Sequence, residues 1–336
     1  MQAAMLGVST PGMAAAISNQ GGLGSIAAGN MSDENTLKLI KETKKLTNRP
    51  FAVNLFVNEI TPAAHTEEFY SMQSFLKKYC EENKIPYEPD DVPTAGNNFY
   101  KDQIAVLVEE NIEIVSFTFG VLDDQSISAL KSNGTKLIGT ATSVNEARLL
   151  QDKGIDVVIA QSMEAGGHSG SFLNDNKPHT DAISLIPMVT AAISIPVLAA
   201  GGITDQRSLK AAIALGASGI VAGSIFIPSH ESMASELYKS SIQTLPEHHT
   251  VLSKAFTGKW SRAIKNDFIS AIENSELSIP SFQEQLQLTE QIRTFAINNQ
   301  RADLMPIWVG QSSSTYPEGA AADIMMFLLN GDKEEQ

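Results

Sequence analysis

A single histidine, His168, stands in a run of small and turn-forming residues that could carry proton-transfer chemistry. The run reads AQSMEAGGHSGSF over residues 160–172 and follows an apolar stretch typical of a buried strand. Gly166 and Gly167 permit backbone conformations that a Cβ forbids and let a ligand approach the main chain. Alone, such a histidine is more often a structural loop residue. Because imidazole titrates near neutral pH and the chain places other polar groups at strand ends, we predict that His168 is a general acid or base.

Two side-chain amides and two glycine turns also fall within or after apolar runs. Asn54 lies inside FAVNLF, and Gln161 ends VVIAQ. Buried amides need hydrogen-bonding partners, which the edge of a heteroaromatic ring could supply. Glycine turns at residues 201–202 and 223–224 close two further apolar runs, and in a barrel such turns bind phosphate through main-chain N–H groups. This combination, without a Walker lysine, predicts a mononucleotide cofactor such as FMN.

Other chemistries find little support in the residue pattern. His65 and the pair at residues 248–249 do not belong to a recognisable cluster of metal ligands, so they are interpreted as surface histidines and no metal site is predicted. The only cysteine, Cys80, excludes an internal disulfide and a cysteine-rich metal site. No G-x-S-x-G nucleophile motif occurs. Glu164, four residues before His168, is expected to face solvent rather than to orient the imidazole.

Apolar runs that alternate with amphipathic segments must position these groups. Strands that are apolar throughout, each followed by a helix, indicate a parallel sheet buried on both faces. About eight such units over roughly 225 residues favour an α/β fold of the (β/α)8 TIM-barrel type, which typically needs about 250. A doubly wound open sheet is the alternative, but the glycines of residues 21–24 precede a strand rather than follow one. The predicted strands cover residues 2–6, 23–28, 51–57, 112–119, 136–140, 157–161, 196–200 and 220–226.

Two segments are additional to the strands and helices that a minimal barrel needs, and they define the predicted domain organisation. Residues 1–230 are assigned to an FMN-binding barrel. An insertion after the third strand, at about residues 58–103, is expected to form a lid or wall at the barrel mouth. Residues 231–336 are expected to form a helical C-terminal extension packed on the barrel.

Charge and hydropathy narrow the classes of partner. The 336-residue chain has 38 acidic and 24 basic residues, which gives a formal charge of −14. Such an acidic surface disfavours nucleic-acid and anionic-membrane binding. No stretch approaches the ~20 continuous apolar residues of a membrane span. The N-terminus lacks the basic region of a signal peptide, and a cytoplasmic protein that acts on a small molecule is expected.

The chain resembles the nitronate monooxygenases, formerly called 2-nitropropane dioxygenases, over nearly its whole length. The AQ-x-x-EAGGH-x-G-x-F stretch is specific to that family, whereas the glycine turns occur in other FMN barrels. The matching stretches are STPGMAAAISNQGGLGSIAAG, RPFAVNLFV, KLIGTATSVNEA, VVIAQSMEAGGHSGSF, IPVLAAGGITD, VAGSIF, KAFTGKWSRAIKNDF and WVGQS.

The resemblance implies an FMN-dependent enzyme that oxidises alkyl nitronates with O2 to a carbonyl compound and nitrite. Neutral nitroalkanes are a second candidate substrate, and a homodimer is a candidate assembly. His168 corresponds to the catalytic histidine of the family. The flavin contacts implied in the same way are Asn54, Gln161, Gly166, Gly201, Val221, Ala222, Gly223 and Ser224.

Three departures from the family pattern accompany this resemblance. Family members usually carry a further N-terminal segment that supplies most of the first strand, so incomplete barrel closure is expected here. Ala4 replaces the proline of the QAPM motif, and Ser224 replaces a threonine while keeping the hydroxyl. Two alternative functions stay open: an NAD(P)H-dependent FMN reductase of the enoyl-ACP reductase or quinone reductase type, and a catalytically silent flavin-binding protein.

Overall fold

The computed structural model describes residues 1–58, 66–90, 99–244, 249–312 and 316–331. The strands are β1 (Gly24–Ala27), β2 (Phe51–Phe56), β3 (Ile114–Thr118), β4 (Lys136–Ala141), β5 (Val157–Gln161), β6 (Gly167–His168), β7 (Val197–Ala200), β8 (Gly219–Val221), β9 (Thr250–Ser253) and β10 (Ser261–Ile264). The helices are α1 (Pro11–Asn19), α2 (Asp33–Leu46), α3 (Glu67–Glu82), α4 (Phe99–Glu109), α5 (Asp124–Ser132), α6 (Val144–Asp152), α7 (Ala182–Ala192), α8 (Gln206–Ala214), α9 (Glu236–Gln243), α10 (Asp267–Asn274), α11 (Phe282–Leu288), α12 (Glu290–Asn298) and α13 (Ala321–Asn330).

A seven-stranded sheet forms the centre of the molecule. Its strand order is β1-β2-β3-β4-β5-β7-β8, and every neighbouring pair is parallel. Parallel strands need helical crossovers, and the helices that alternate with them cover the outside of the sheet. The runs FAVNLF and VVIAQ are almost entirely buried, because their two faces contact the barrel interior and the surrounding helices. The predicted TIM-barrel-like α/β fold is confirmed.

The N-terminal residues hydrogen-bond to both edges of this sheet. Gln2 forms an isolated parallel bridge with Ala222 at the β8 edge, and its N–H donates to the Leu23 carbonyl at 2.9 Å on the β1 edge. The buried Gln2 side chain also accepts a 2.8 Å hydrogen bond from the Ser25 N–H. The first predicted strand is therefore a bridge, and the expected gap between β1 and β8 is spanned by hydrogen bonds.

Helix starts follow the capping residues of the sequence. Thr10 accepts from the Met13 N–H at 3.0 Å with Pro11 in the first turn, as the sequence predicts. Ser32 caps α2 in the same way. The strand predicted over residues 220–226 is present only in its first two residues. Strand β8 stops at Val221, and residues 224–226 form a 3-10 turn, because Gly223 leaves the extended conformation (φ −118°, ψ −72°).

The stretch predicted as an insertion divides into two helices. Helix α4 packs against α2 and α5, as a barrel helix between β2 and β3 should, so the extra segment ends before residue 99. Helix α3 packs against α11, and the Tyr87 hydroxyl donates to the Leu288 carbonyl at 2.9 Å. The parts of the predicted lid at residues 59–65 and 91–98 lie outside the described residues.

The C-terminal part contains strands as well as the expected helices. β10 pairs antiparallel with β9 and with β6, which places Ser261 opposite His168. This small sheet joins the C-terminal part to the loop that follows β5. Among the helices that the structure describes, none combines the length and apolar character needed to cross a membrane.

Candidate active site

A cavity of about 870 Å³ opens where the carboxyl ends of the parallel strands meet. Barrel enzymes place their chemistry at this end of the sheet. The structure brings every site residue predicted from the sequence to the wall of this one cavity. These residues are Asn54, Gln161, Gly166, His168, Gly201, Val221, Ala222, Gly223 and Ser224.

The backbone around His168 is fixed from two sides. Ser169 donates its N–H to the Trp260 carbonyl at 2.8 Å, which continues the pairing of β6 with β10. On the other side, Gln161 Nε2 donates to the His168 carbonyl at 3.0 Å, and Gln161 Oε1 accepts from the Gly170 N–H at 2.6 Å. The amide of Gln161 therefore orders the histidine loop, and within the described residues its second Nε2 hydrogen has no acceptor, so it can donate to a ligand.

The imidazole of His168 is held by one hydroxyl and three aromatic rings. Its Nε2 lies 2.9 Å from Thr257 Oγ1. The ring centroids of Phe119 and Phe282 each lie 5.9 Å from the imidazole, nearly edge-on, and that of Trp308 lies 5.2 Å away. Aromatic neighbours at these distances exclude water from much of the ring surface.

This environment changes the protonation of the histidine. Burial lowers the pKa of His168 to about 4, and the positive charges of Lys259 and Arg293 add to the effect. Desolvation and like charge both penalise the imidazolium. His168 is consequently neutral at pH 7, and one ring nitrogen carries a lone pair.

Phe119, next to His168, has a strained backbone. Its φ of +76° is a conformation that a bulky side chain rarely adopts. Lys259 Nζ lies 4.8 Å from the Phe119 ring centroid and donates to the Ser171 carbonyl at 3.1 Å. Burial also lowers the pKa of Lys259. Strain of this kind is found where the surrounding structure imposes a functional geometry.

The two glycine turns border the cavity beside the ends of β7 and β8. Gly201 has a φ of +112°, and a Cβ there would lie 2.2 Å from Ser162 Oγ, so only glycine fits. Within the described part of the chain, no acceptor is found for the N–H groups of Gly202 and Gly223. Unpaired main-chain donors at a cavity wall are suited to bind an anion.

The C-terminal tail completes this wall. Gly310 donates its N–H to Ser224 Oγ at 2.9 Å, and Ser312 Oγ donates to the Gly202 carbonyl at 3.2 Å. A Cβ on Gly166 would lie 2.5 Å from the Gly310 nitrogen, so the loop before His168 and the tail are in direct backbone contact. The tail thus connects both glycine turns to the histidine loop.

Asn54 lies deeper in the barrel, on β2. It is 8% exposed, and its Nδ2 donates to Ser116 Oγ on β3 at 3.0 Å. Val221 and Ala222, at the end of β8, are buried and line the cavity. These positions place one amide and the end of an apolar strand on the cavity floor.

The structure describes the surroundings of Glu164 and of the side chains that could bind a metal ion. The expectation that Glu164 faces solvent is wrong, because its Oε1 accepts a 3.0 Å hydrogen bond from the Ala182 N–H at the start of α7. Its Oε2 is buried and has no hydrogen-bond partner among the described residues. Over the same residues no cluster of three His, Cys, Asp or Glu side chains could hold a metal ion. His65 and His248 lie outside the described residues.

Several residues at the cavity were not predicted individually. Thr257 and Trp308 fall within stretches that resemble the family, KAFTGKWSRAIKNDF and WVGQS, and this is the only signal they carry in the sequence. Phe119, Phe282 and Arg293 carry none, because their positions depend on contacts between distant segments.

Comparison with known proteins agrees with this architecture. The model of a family described as nitronate monooxygenase matches residues 1–331. A probable nitronate monooxygenase of Staphylococcus aureus (strain Newman) is 39% identical over 332 residues, which cover 98% of this chain and 93% of that protein.

Two solved structures are similar along the whole chain. A nitroalkane oxidase from Streptomyces ansochromogenes superposes with a TM-score of 0.89 at 32% identity, covering 97% of this chain and 93% of the other. FabK from Thermotoga maritima superposes with a TM-score of 0.75 at 28% identity, covering 98% and 91% respectively.

Proposed function

The chain belongs to the nitronate monooxygenase family and is a flavin-dependent oxidoreductase, and we propose that it uses FMN to oxidise alkyl nitronates with O2. The products are a carbonyl compound and nitrite. One observation carries the proposal: a half-buried, neutral histidine shares a single cavity with two glycine turns whose main-chain N–H groups have no acceptor within the described part of the chain.

The cavity wall fits a flavin mononucleotide. The turns at Gly201 and Gly223 are proposed to hold the phosphate, together with the hydroxyl of Ser224. Asn54 and Gln161 are proposed to hydrogen-bond to the polar edge of the ring system, since each amide has capacity beyond its protein partner. When bound, the flavin supplies the electron transfer, and the protein supplies binding, orientation and electrostatics.

His168 is proposed to act as the base toward neutral nitroalkanes. Because it is neutral at pH 7, it can accept the proton on the carbon that bears the nitro group. A nitronate has already lost that proton and needs only to be held. The positive charges of Lys259 and Arg293 near His168 favour an anion at this position.

The aromatic side chains around His168 are proposed to keep water out of the reaction. Phe119, Phe282 and Trp308 surround the imidazole, and an apolar boundary strengthens electrostatic interactions within the site. Exclusion of water also disfavours reprotonation of the nitronate carbon.

The absorbance spectrum of the purified protein tests cofactor and substrate class together. We expect the bands of oxidised flavin, and acid-released cofactor that elutes as FMN. Anaerobic addition of ethyl nitronate should bleach these bands, and admission of air should restore them with release of nitrite. A protein that binds FMN but is not bleached by any alkyl nitronate would contradict the proposed reaction.

The similarity to FabK supports a second candidate function. An NAD(P)H-dependent FMN reductase with the same barrel would be bleached anaerobically by NADH or NADPH rather than by a nitronate. A flavin that neither donor bleaches would indicate a catalytically silent flavin-binding protein. The cytoplasmic location and the homodimer stay predictions.

A further inference from the structure

The hydroxyl of Thr257 is the one polar group that contacts the imidazole of His168 among the described residues. We infer that Thr257 is a positioning residue: it keeps the hydrogen of neutral His168 on Nε2, so that Nδ1 is the atom that accepts the substrate proton. The inference rests on the proposed function. It extends that function by naming the residue that orients His168 and the ring nitrogen that accepts the proton.

Thr257 reaches His168 from the far end of the chain. It lies 89 residues later in sequence, in the turn between β9 and β10, and is 3% exposed. Its N–H donates to the Lys254 carbonyl at 3.2 Å, and the strand that follows pairs with β6. Both partners of the Oγ1···Nε2 contact are therefore fixed by the same small sheet.

The hydrogen bonds around Thr257 Oγ1 favour one tautomer of His168. The oxygen has two lone pairs and one hydrogen. The Lys259 N–H donates to it at 3.4 Å, and the Lys259 carbonyl lies 3.4 Å away as an acceptor. If His168 Nε2 carries hydrogen, Oγ1 accepts from His168 and from Lys259 and donates to the Lys259 carbonyl. Every capacity of the hydroxyl is then used, as buried polar groups require.

The opposite tautomer leaves that network incomplete. Thr257 would then donate to Nε2, and the Lys259 carbonyl would lose its hydroxyl partner. The arrangement with hydrogen on Nε2 is favoured for this reason. For Nδ1, the described residues provide no hydrogen-bond partner, and His168 itself lines the cavity.

The tautomer determines the proton transfer. The proton leaves the carbon that bears the nitro group and binds to the lone pair of Nδ1, and the electron pair of the broken C–H bond stays on the substrate as the nitronate. The resulting imidazolium donates its Nε2–H to Thr257 Oγ1. Lys259 and Arg293 disfavour this cation, so an acceptor at Nε2 is needed for the transfer.

Two variants of Thr257 separate its hydroxyl from its packing. Thr257→Val keeps the shape and removes the oxygen, whereas Thr257→Ser keeps the oxygen and removes a methyl group. We expect kcat/KM for neutral nitroethane to fall by about 10- to 100-fold in Thr257→Val, the equivalent of one hydrogen bond to a charged group. Thr257→Ser should stay within about threefold of the wild type. On ethyl nitronate both variants should be within about threefold, because no proton is removed.

A measurement independent of turnover accompanies the kinetics. In ¹⁵N NMR spectra of the ring-labelled holoenzyme at pH 7, His168, assigned through His168→Asn, should carry hydrogen on Nε2 in the wild type and in Thr257→Ser. Thr257→Val should show a mixture of tautomers. Hydrogen on Nδ1 in the wild type would overturn the inference, as would equal losses in the serine and valine variants, or equal losses on both substrates.

These outcomes differ from failure of the proposed function. If the wild type oxidises neither nitroethane nor its nitronate, the proposed function is wrong, and the NMR spectrum alone still tests the Thr257–His168 tautomer. If the wild type oxidises both and Thr257→Val is unaffected, only the role of Thr257 is wrong.

Discussion

At the scale of single residues, the environment of His168 decides what its imidazole can do. Three aromatic rings and two nearby cations disfavour its charged form, and its pKa falls to about 4. A histidine with an ordinary pKa could stabilise a nitronate as a cation. The neutral form favours a role as base.

Replacement of His168 by asparagine tests this role. His168→Asn should retain FMN, because the proposed phosphate contacts come from the glycine turns. Turnover of a neutral nitroalkane should fall by about 10² to 10⁴, the usual contribution of a positioned general base. Turnover of the ionised nitronate should fall much less. Equal losses on both substrates, measured by oxygen consumption, would indicate charge stabilisation or orientation instead.

The depressed pKa also predicts a pH dependence. For neutral nitroethane, kcat/KM should stay constant as the pH falls from 7 to 5.5 and should decline only as it approaches 4, since the free enzyme keeps its base unprotonated until then. A decline centred on pH 6.5 would show that the histidine has its ordinary pKa.

The lowered pKa of His168 also makes the stability of the folded protein depend on pH. Between pH 6.5 and 4 the unfolded chain binds a proton on His168 that the folded protein excludes, so stability rises with pH across this window. At pH 5 the histidine should lower the free energy of unfolding by about 2 kcal/mol relative to pH 7.5. Urea unfolding gives the free energy of unfolding at pH 7.5 and at pH 5. The difference between these two values should be about 2 kcal/mol smaller in His168→Asn than in the wild type.

At the scale of structural elements, the turns after β7 and β8 and the C-terminal tail act together. Gly310 and Ser312 hydrogen-bond to the two turns, and Gly166 touches the tail through its backbone. The proposed phosphate site is therefore built from four separate segments. The site requires space for an anion beside Gly223.

A pair of substitutions at Gly223 tests that requirement. A Cβ there would meet Ala3 Cβ at 3.3 Å and Met5 Sδ at 3.5 Å, a tight fit without a backbone clash. Gly223→Ala should fold and keep most of its flavin. Gly223→Asp should fold but lose FMN, because a carboxylate would repel the phosphate. Flavin absorbance per protein measures occupancy, and full occupancy in Gly223→Asp would refute the assignment.

At the scale of the whole molecule, hydrogen bonds from the N-terminal residues join the two edges of the sheet. Gln2 is 1% exposed, and its side chain bonds to the Ser25 N–H and to Ser9 Oγ, each at 2.8 Å. Barrel edges left unpaired expose backbone groups. Gln2 is thus expected to contribute to the stability of the entire barrel.

Gln2→Met is the variant that tests this contribution. The change keeps the side-chain length and leaves the buried Ser25 N–H without an acceptor, so the free energy of unfolding should fall by about 1–3 kcal/mol. Gln20→Met, at an exposed position after α1, is the matched control and should be nearly neutral. Equal stability of both variants in urea would show that the barrel does not depend on Gln2.

Much of the fold could be predicted because it depends on local patterns. Apolar runs such as FAVNLF and caps such as Thr10 and Ser32 specify strands and helix starts through neighbouring residues alone. The regular alternation of strands and helices then leaves few topologies. His168 and the glycine turns could be predicted because glycines that directly follow an apolar run mark a turn at a strand end, and His168 lies among such glycines.

Tertiary structure alone decided the chemistry of His168. Its pKa depends on Phe119, Phe282, Trp308 and two cations, all distant in sequence, and its Nε2 partner is Thr257. The strands β9 and β10, short and placed in a largely helical region, are stabilised by pairing with β6 rather than by their own pattern. Desolvation and hydrogen bonding depend on which segments meet in space, so the sequence determined the reactive group and the fold determined its protonation.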